Sequence, residues 1–330
     1  MKASAKGALL VFALGFIATA QATTCDRVDP SFVCGLHNAE DLVRLVGTNW
    51  IVASHVNVPF RAGASPGFGP IEAVRIDTHE VRRLYPTPES TINWIRELYP
   101  DCSSPPESLS SHGLNVRRRV ANKFRLFVAN HGGRESVEVI DVEARGSRLL
   151  TIWRGCILAP RGIFPNWVVP LPADGVALSG GGAAIWRPHR GWVSIDGIEG
   201  GNGIEASSDG RWLFIADSSG KAVIRVPTEA RAARTILKIN FLPDNLRWGE
   251  DGRLYVAGIH PSEQFQFTED SLCNVGFAIA RIDPNTLTTQ EVFRTDGIKD
   301  VCGAASTALQ IGDRFWIGNV RGDRLAILSF

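Results

Sequence analysis

The chain has 330 residues, with 35 Lys and Arg against 34 Asp and Glu, and its formal net charge at pH 7 is +1. This near-neutral balance gives no electrostatic basis for binding nucleic acid or an anionic membrane surface. The length allows one large all-β domain or two smaller domains.

The N-terminus has the pattern of a secretory signal peptide. Lys2 and Lys6 precede an apolar run, and residues 20–22 read AQA, a small-x-small cleavage site. The apolar run is short for a membrane anchor, and the sequence before Cys25 lacks the leucine and the adjacent small residue of a lipoprotein signal. We therefore predict a signal peptide over residues 1–22, a secreted or periplasmic mature chain, and no stable membrane span after processing.

Six cysteines follow the predicted cleavage site, and an even number in an exported chain favours disulfides. No CxxC motif occurs, so neither a zinc site nor a thioredoxin-type pair is indicated. Cys25 and Cys34 are close in sequence, and we expect them to pair. We expect Cys273 to pair with Cys302 from a neighbouring element.

Short β-type segments separated by turn signals fill most of the mature chain. In order they read NWIVASH, FRLFVANH, SVEVIDVE, GVALSGGGAAIW, RWLFIADSS, KAVIRVP, RLYVAGIH, FAIARIDP, RFWIGNV and RLAILSF. Such a series predicts a sandwich, a barrel or a propeller, and the missing helical crossovers argue against a doubly wound α/β fold. One segment, 87–100, is predicted as a short helix within an insertion.

A weak internal repeat favours the propeller. Each unit has a polar residue, a strand, a turn, a second strand and then a third strand. Six units begin at Glu40, His112, Asn166, Asn202, Asp244 and Ser306. A unit of roughly 50 residues suits a four-stranded blade with its loops. We predict an all-β, six-bladed β-propeller closed as one domain over residues 23–330, with a central metal site.

The metal site follows from where the units begin. In a propeller, the innermost strands line a central channel, so residues that open those strands meet near one mouth of the channel. Asn202 and Asn245 are each common turn residues when considered alone, but five oxygen-bearing side chains at matching positions are not explained by turns. Oxygen donors of this kind suit Ca²⁺ and are poor ligands for zinc. The predicted ligands are Glu40, Asn166, Asn202, Asp244 and Asn245.

Two histidines accompany these residues. His112 opens the second unit, and His131 ends the next strand of the same unit. A lone histidine is commonly structural, but a histidine beside a metal-bound carbonyl can act as a general base for water. Trp167 is a candidate for the channel wall. The chain has no GxSxG motif, and its LSGGGAA stretch lacks the Lys-Ser/Thr of a phosphate loop.

Five stretches of the chain carry a family resemblance, and in order they read AEDLVRLVGTNWIVASH, SSHGLNV, LFVANHGGRESVEVIDVE, GNGIEASSDGRWLFIAD and PDNLRWGEDGRLYVAGIHP. Together they resemble the paraoxonase/arylesterase family of calcium-dependent lactonases, within the wider propeller group that includes gluconolactonases and strictosidine synthase-like proteins. The resemblance covers most of the mature chain and is weakest over residues 61–110.

The resemblance implies roles for individual residues. It places the catalytic calcium on Glu40, Asn166, Asn202, Asp244 and Asn245, the histidine pair on His112 and His131, and a substrate-pocket histidine on His260. The family holds a second, structural calcium with two aspartates. Asp41 matches one of them, but Trp167 stands where the other belongs. The family's disulfide to the last strand is absent, because RLAILSF contains no cysteine.

These features predict a calcium-dependent carboxylic ester hydrolase that acts on lactones and, as a further class, aryl esters. Its partner is a small-molecule substrate, and no feature predicts an oligomeric state. Two alternatives stay open. One is a non-enzymatic propeller that binds a ligand or partner and keeps calcium for structure. The other is a metal-dependent phosphoesterase or sugar lactonase on the same ring.

Overall fold

The computed structural model describes residue 25 and residues 31–59, 65–229, 234–261, 275–296 and 304–330. Within these ranges the backbone forms 25 β-strands and no helix. The described ranges therefore contain no helix that could span a membrane. The strands assemble into six sheets.

Each sheet is one blade of a ring, and we number the blades along the chain. Blade 1 contains β2 (Leu42–Arg44), β3 (Trp50–Ala53), β4 (Ile71–Arg75) and β5 (Val81–Tyr85). Blade 2 contains β6 (Thr91–Ile92), β7 (Ser111–Val120), β8 (Lys123–Asn130), β9 (Ser136–Arg145) and β10 (Arg148–Leu158). Blade 3 contains β11 (Trp167–Leu171), β12 (Gly175–Gly180), β13 (Gly182–Arg187) and β14 (Gly191–Ser194). Blade 4 contains β15 (Gly201–Ala206), β16 (Trp212–Asp217), β17 (Ala222–Pro227) and β18 (Thr235–Lys238). Blade 5 contains β19 (Leu242–Trp248), β20 (Leu254–Ile259), β21 (Phe277–Ile282) and β22 (Thr289–Thr295). Blade 6 contains β23 (Ala305–Ile311), β24 (Arg314–Asn319), β25 (Arg324–Ser329) and the N-terminal β1 (Phe32–Cys34).

The blades pack side by side around an axis. Strands β2, β7, β11, β15, β19 and β23 are the innermost of their blades, and each contacts the next around a closed ring. An apolar core fills the space between every pair of adjacent blades. Successive side chains of a strand point to opposite faces, so Val168 packs toward blade 2 while Val169 packs toward blade 4. The predicted six-bladed β-propeller is confirmed.

The ring is closed by pairing the two ends of the described chain. Strand β1 runs antiparallel to β25, with Phe32 opposite Ala326 and Cys34 opposite Arg324. The N-terminal strand thus becomes the outer strand of the last blade. Covering that edge also removes it as a site for pairing with another chain.

The insertion before β7 differs from the prediction, because residues 87–100 form no helix. Thr91 and Ile92 instead form β6, which pairs in parallel with the outer edge of β10. A turn follows, in which the Tyr99 amide donates to the Ile95 carbonyl at 2.9 Å. The edge of β10 offers free backbone groups, and a β-branched pair satisfies them better than a short isolated helix would.

Two disulfides join described cysteines. Cys25 pairs with Cys34, as predicted from their proximity. Cys102 pairs with Cys156, which the sequence did not indicate, and this bond ties the insertion to β10. The predicted pair of Cys273 and Cys302 lies outside the described residues. Disulfides of this kind are typical of an oxidising extracellular or periplasmic environment.

Candidate functional site

Six of the predicted site residues lie at the same point of the propeller, where the inner strands begin. Glu40 and Asn166 lie just before β2 and β11, whereas the other four are in the first half of β7, β15 and β19. We call this set the polar ring, and it consists of Glu40, His112, Asn166, Asn202, Asp244 and Asn245.

Local irregularities of the inner strands set the direction of these side chains. Strand β15 loses its regular register with β16 between Gly201 and Ile204, and Asn202 lies within this gap. The same shift occurs around His112 in β7 and around Asp244 and Asn245 in β19. A bulge releases residues from the ladder and turns a side chain in a new direction, often at an active site. The bulge in β15 therefore accounts for the polar side chain of Asn202, which opens the fourth unit of the repeat.

Glycines beside the ring residues allow neighbouring inner strands to approach closely. A Cβ at Gly203 would lie 2.7 Å from Cα of Asn245 in the next blade. A Cβ at Gly113 would lie 2.4 Å from the carbonyl oxygen of Asn166. Only glycine fits at these two contacts, which explains the Gly after both Asn202 and His112.

Four oxygens of the polar ring are buried and have no hydrogen-bond partner within the protein. They are Oε2 of Glu40 and Oδ1 of Asn166, Asn202 and Asn245. The amide nitrogens do find partners, since Nδ2 of Asn245 donates to Oε1 of Glu40 at 2.6 Å and Nδ2 of Asn202 donates to Oγ of Ser218 at 3.3 Å. Buried polar atoms are almost always satisfied, so four orphaned acceptors at one place call for a donor or a cation.

Burial and mutual repulsion raise the pKa values of the carboxylates in the channel. Burial raises the pKa of Glu40 well above its ordinary value, and the charges of Asp244 and Asp41 raise it further. Burial, with a contribution from Asp41, also raises the pKa of Asp244 to about 7. A positive charge at the ring would reverse both effects, because it favours the ionised carboxylates.

The donor set fits a hard cation of the Ca²⁺ type. All the available donors are oxygens, two from carboxylates and three from amides, and Ca²⁺ takes such ligands in loose geometry. Within the described ranges no three His, Cys, Asp or Glu side chains converge on a metal-binding arrangement, so the amides are essential to any site here. Asn166, Asn202 and Asp244 are only half-buried, which leaves the ring open on one side.

The two predicted histidines are hydrogen-bonded to each other. Nδ1 of His112 lies 2.9 Å from Nε2 of His131. The other nitrogen of His112 lies 3.8 Å from Oε1 of Glu40. Burial, together with the neighbouring His131, lowers the pKa of His112 well below its ordinary value, so the imidazole is neutral at pH 7.

Two residues that the sequence did not indicate complete the histidine pair. Oε2 of Glu135 lies 2.6 Å from Nδ1 of His131. The ring of Phe164 stacks on His131 with centroids 3.8 Å apart, and Phe164 is 47% exposed. Glu135 follows His131 by four residues in a glycine-containing loop, and that spacing is the only signal that could have drawn attention to it.

Asp41 does not fit a second metal ion. Its Oδ1 accepts from the Leu42 amide at 2.6 Å, and its Oδ2 accepts from the Leu114 amide at 2.7 Å and from Nη2 of Arg247 at 2.5 Å. Both oxygens of Asp41 are occupied, and Trp167 stands in place of the partner aspartate. The residues present therefore do not fit the structural calcium that the resemblance implies.

The two predicted pocket residues lie apart from one another. Trp167 is fully buried, and the guanidinium of Arg247 lies 4.2 Å from its ring centre, so its indole offers no surface to a substrate. His260 directly follows β20 and is half-buried, and its Nε2 bonds to the carbonyl of Thr295 at 2.7 Å.

Comparisons with known proteins agree with the fold. No protein-family model and no curated protein sequence matches the chain. Among solved structures, a gluconolactonase from Xanthomonas campestris is similar at 14% identity and a TM-score of 0.55, with 90% of this chain and 88% of that chain covered. A second structure, described as a candidate gluconolactonase, has 13% identity, a TM-score of 0.51 and 90% coverage of both chains. At such identities the likeness shows a shared propeller fold.

Proposed function

We propose that the protein is a calcium-dependent hydrolase that opens lactones and also cleaves aryl esters. The observation that carries this proposal is the group of four buried, unpartnered oxygens beside a hydrogen-bonded histidine pair. The oxygens provide a place for a cation, and the histidines provide a base next to it. Together, the cation site and the histidine pair would form one reaction centre.

The metal ligands would be the five oxygen-bearing residues of the polar ring. Calcium held by Glu40, Asn166, Asn202, Asp244 and Asn245 would supply a positive charge that polarises a carbonyl and stabilises an oxyanion. The orphaned oxygens would gain a partner, and the repulsion between Glu40 and Asp244 would be relieved.

The histidine pair is oriented to act as a general base. The carboxylate of Glu135 can only accept from Nδ1 of His131, which leaves Nε2 of His131 to accept from Nδ1 of His112. Nε2 of His112 then carries a lone pair on the side of the polar ring. His112 is therefore in the tautomer that takes a proton from water.

The reaction requires one base that later acts as an acid. Nε2 of His112 removes a proton from water as the oxygen adds to the substrate carbonyl. When the carbon–oxygen bond of the ring breaks, the same proton goes to the leaving alkoxide. The product is a hydroxy acid, or an acid and a phenol from an aryl ester. His131 and Glu135 stabilise the transient charge on His112.

Sugar lactones are the second candidate substrates. Two structural neighbours are described as gluconolactonases, which supports a lactone of this kind. The exposed Phe164 ring beside His131 favours a less polar substrate instead. The two disulfides support a secreted or periplasmic location.

The test is hydrolysis by the purified mature protein of aliphatic γ- and δ-lactones, glucono-δ-lactone, phenyl acetate and a phosphoester. Each assay is run before chelation, after EDTA and after Ca²⁺ is restored. Asn202→Ala should abolish the calcium-restored activity, whereas Asn285→Ala, at an exposed turn, is the control. Calcium binding without hydrolysis of any substrate would favour a non-enzymatic propeller and overturn the proposal.

A further inference from the structure

A second layer of polar residues lies deeper in the channel than the polar ring. Its members are Asp41, Asn115, Trp167, Glu205 and Arg247, and we call them the channel network. Each follows a residue of the polar ring by one to three positions, just before or within the inner strand of the same blade. Because a strand rises about 3.3 Å per residue, the two layers are separated by roughly 3–10 Å along the axis.

Arg247 is the centre of the channel network and is 4% exposed. Its guanidinium contacts the inner strands of four other blades. The contacts are Nη2 to Oδ2 of Asp41 at 2.5 Å, Nε to the Leu42 carbonyl at 2.8 Å, Nη2 to the Leu114 carbonyl at 2.5 Å, Nη1 to Oε1 of Glu205 at 2.6 Å, and the face of Trp167.

A buried charge is tolerated only when it is paired and fully hydrogen-bonded. Arg247 is paired with two carboxylates, donates four of its five N–H groups to these carboxylates and to two carbonyls, and lies over an aromatic face. The acidic partners are also hydrogen-bonded. Besides Arg247, Glu205 has Asn115 as a partner, whose Nδ2 donates to Oε1 of Glu205 at 2.9 Å. A metal ion at this depth would lie directly beside the guanidinium and would compete for carboxylates that are already engaged.

We propose that Arg247 is a built-in cation that neutralises Asp41 and Glu205, closes the channel at its second layer and takes the place of a second metal ion. The protein then binds one calcium ion, at the polar ring, and the channel network keeps its structure without metal. The count of one ion rests on the calcium site of the proposed function, whereas the role of Arg247 is tested by stability in EDTA and does not depend on that site.

The first test is the number of calcium ions bound by the purified wild-type chain, measured by isothermal titration calorimetry and by elemental analysis after dialysis. We expect one ion per chain. Two ions would overturn the inference. If no ion binds, the proposed function loses its metal, and the role of Arg247 is decided by the variants below.

The second test is thermal unfolding in EDTA. Arg247→Met keeps the bulk of the side chain but removes its charge, and it should lower the melting temperature by an amount on the order of 10 °C. The matched control is Arg225→Met, because Arg225 also lies over an indole, 4.3 Å from the Trp212 ring centre. Equal melting temperatures for Arg247→Met and the wild type would overturn the inference.

A triple variant separates charge from packing. Asp41→Asn and Glu205→Gln combined with Arg247→Met remove all three charges and should recover most of the lost stability. If Arg247→Met does not fold while the triple variant does, the charge-neutralising role is supported. A triple variant no more stable than Arg247→Met would contradict that role.

In Arg247→Met itself, Asp41, Glu205 and two freed carbonyls would form an oxygen-only site, and we expect it to bind one calcium ion more than the wild type.

Discussion

Oε1 of Glu40 lies 3.8 Å from Nε2 of His112, and this contact joins the acidic side of the polar ring to the histidine pair. The two residues come from blades 1 and 2 and are 72 positions apart in sequence. This separation is too long for a direct hydrogen bond, so in the proposed reaction it would leave Glu40 to hold the cation and Nε2 of His112 to take a proton from water.

Glu40→Gln tests the metal ligands. The change keeps the shape and the hydrogen bond to Asn245 but removes one of the two ring charges, so calcium affinity should fall at least ~100-fold. Isothermal titration calorimetry measures the affinity, and hydrolysis at saturating calcium measures the remaining activity. Unchanged affinity would show that the ion binds elsewhere.

His112→Asn tests the base. We expect the turnover number to fall about 100- to 10,000-fold, because general-base catalysis is lost, while calcium affinity stays within a few-fold of wild type. His189→Asn is the matched control, since His189 is exposed and has a positive φ of 62° that asparagine also adopts readily. Retained hydrolysis in His112→Asn would remove His112 from the mechanism.

Glu135→Gln tests the outer end of the histidine pair. A neutral amide can donate to Nδ1 of His131 and so favour the wrong tautomer, and turnover should fall on the order of 10- to 100-fold with KM and calcium affinity unchanged. The acidic limb of the pH profile should also move to lower pH, because the imidazolium of His112 loses a stabilising charge. Glu135→Asp keeps the charge and should lose less. A purely structural Glu135 would leave the pH profile in place.

Calcium and pH should affect stability together. Burial raises the pKa of Glu40 well above its ordinary value and that of Asp244 to about 7 in the folded protein, whereas unfolded aspartate and glutamate titrate near 4. The metal-free protein therefore retains protons that the unfolded chain releases, and its stability falls as pH rises from about 4 to about 7. Calcium favours the ionised ring, so its stabilising effect should be larger at pH 8 than at pH 5. Thermal unfolding with and without calcium measures this, and an equal effect at both pH values would contradict it.

The fold and the polar ring could be predicted because both depend on local patterns. Strand alternation and turn residues define the blades, and the first polar residue of each repeat marks the start of an inner strand. Asn202 is predicted in this way, as the polar residue that opens the fourth unit. In the structure, Asn202 lies within a bulge of β15.

Arg247 could not be predicted, because its environment depends on distant residues. In sequence it sits in the stretch NLRWGEDG and resembles an exposed charge on an alternating strand. Its partners Asp41 and Leu114 lie 206 and 133 residues away. The role of Glu135 could not be predicted for a related reason. In sequence it is a charged loop residue, and only the structure shows that its carboxylate contacts His131.

Closure of blade 6 by β1 would determine when the proposed calcium site is complete. The five oxygen donors belong to blades 1, 3, 4 and 5, and β1, which precedes blade 1, pairs with β25 of blade 6. Because β25 follows all five donors in sequence, the pairing of β1 with β25 would come only after every donor has been synthesised. For a chain exported across a membrane, calcium uptake would then mark the completion of folding on the far side, and partly translocated chains would hold no ion.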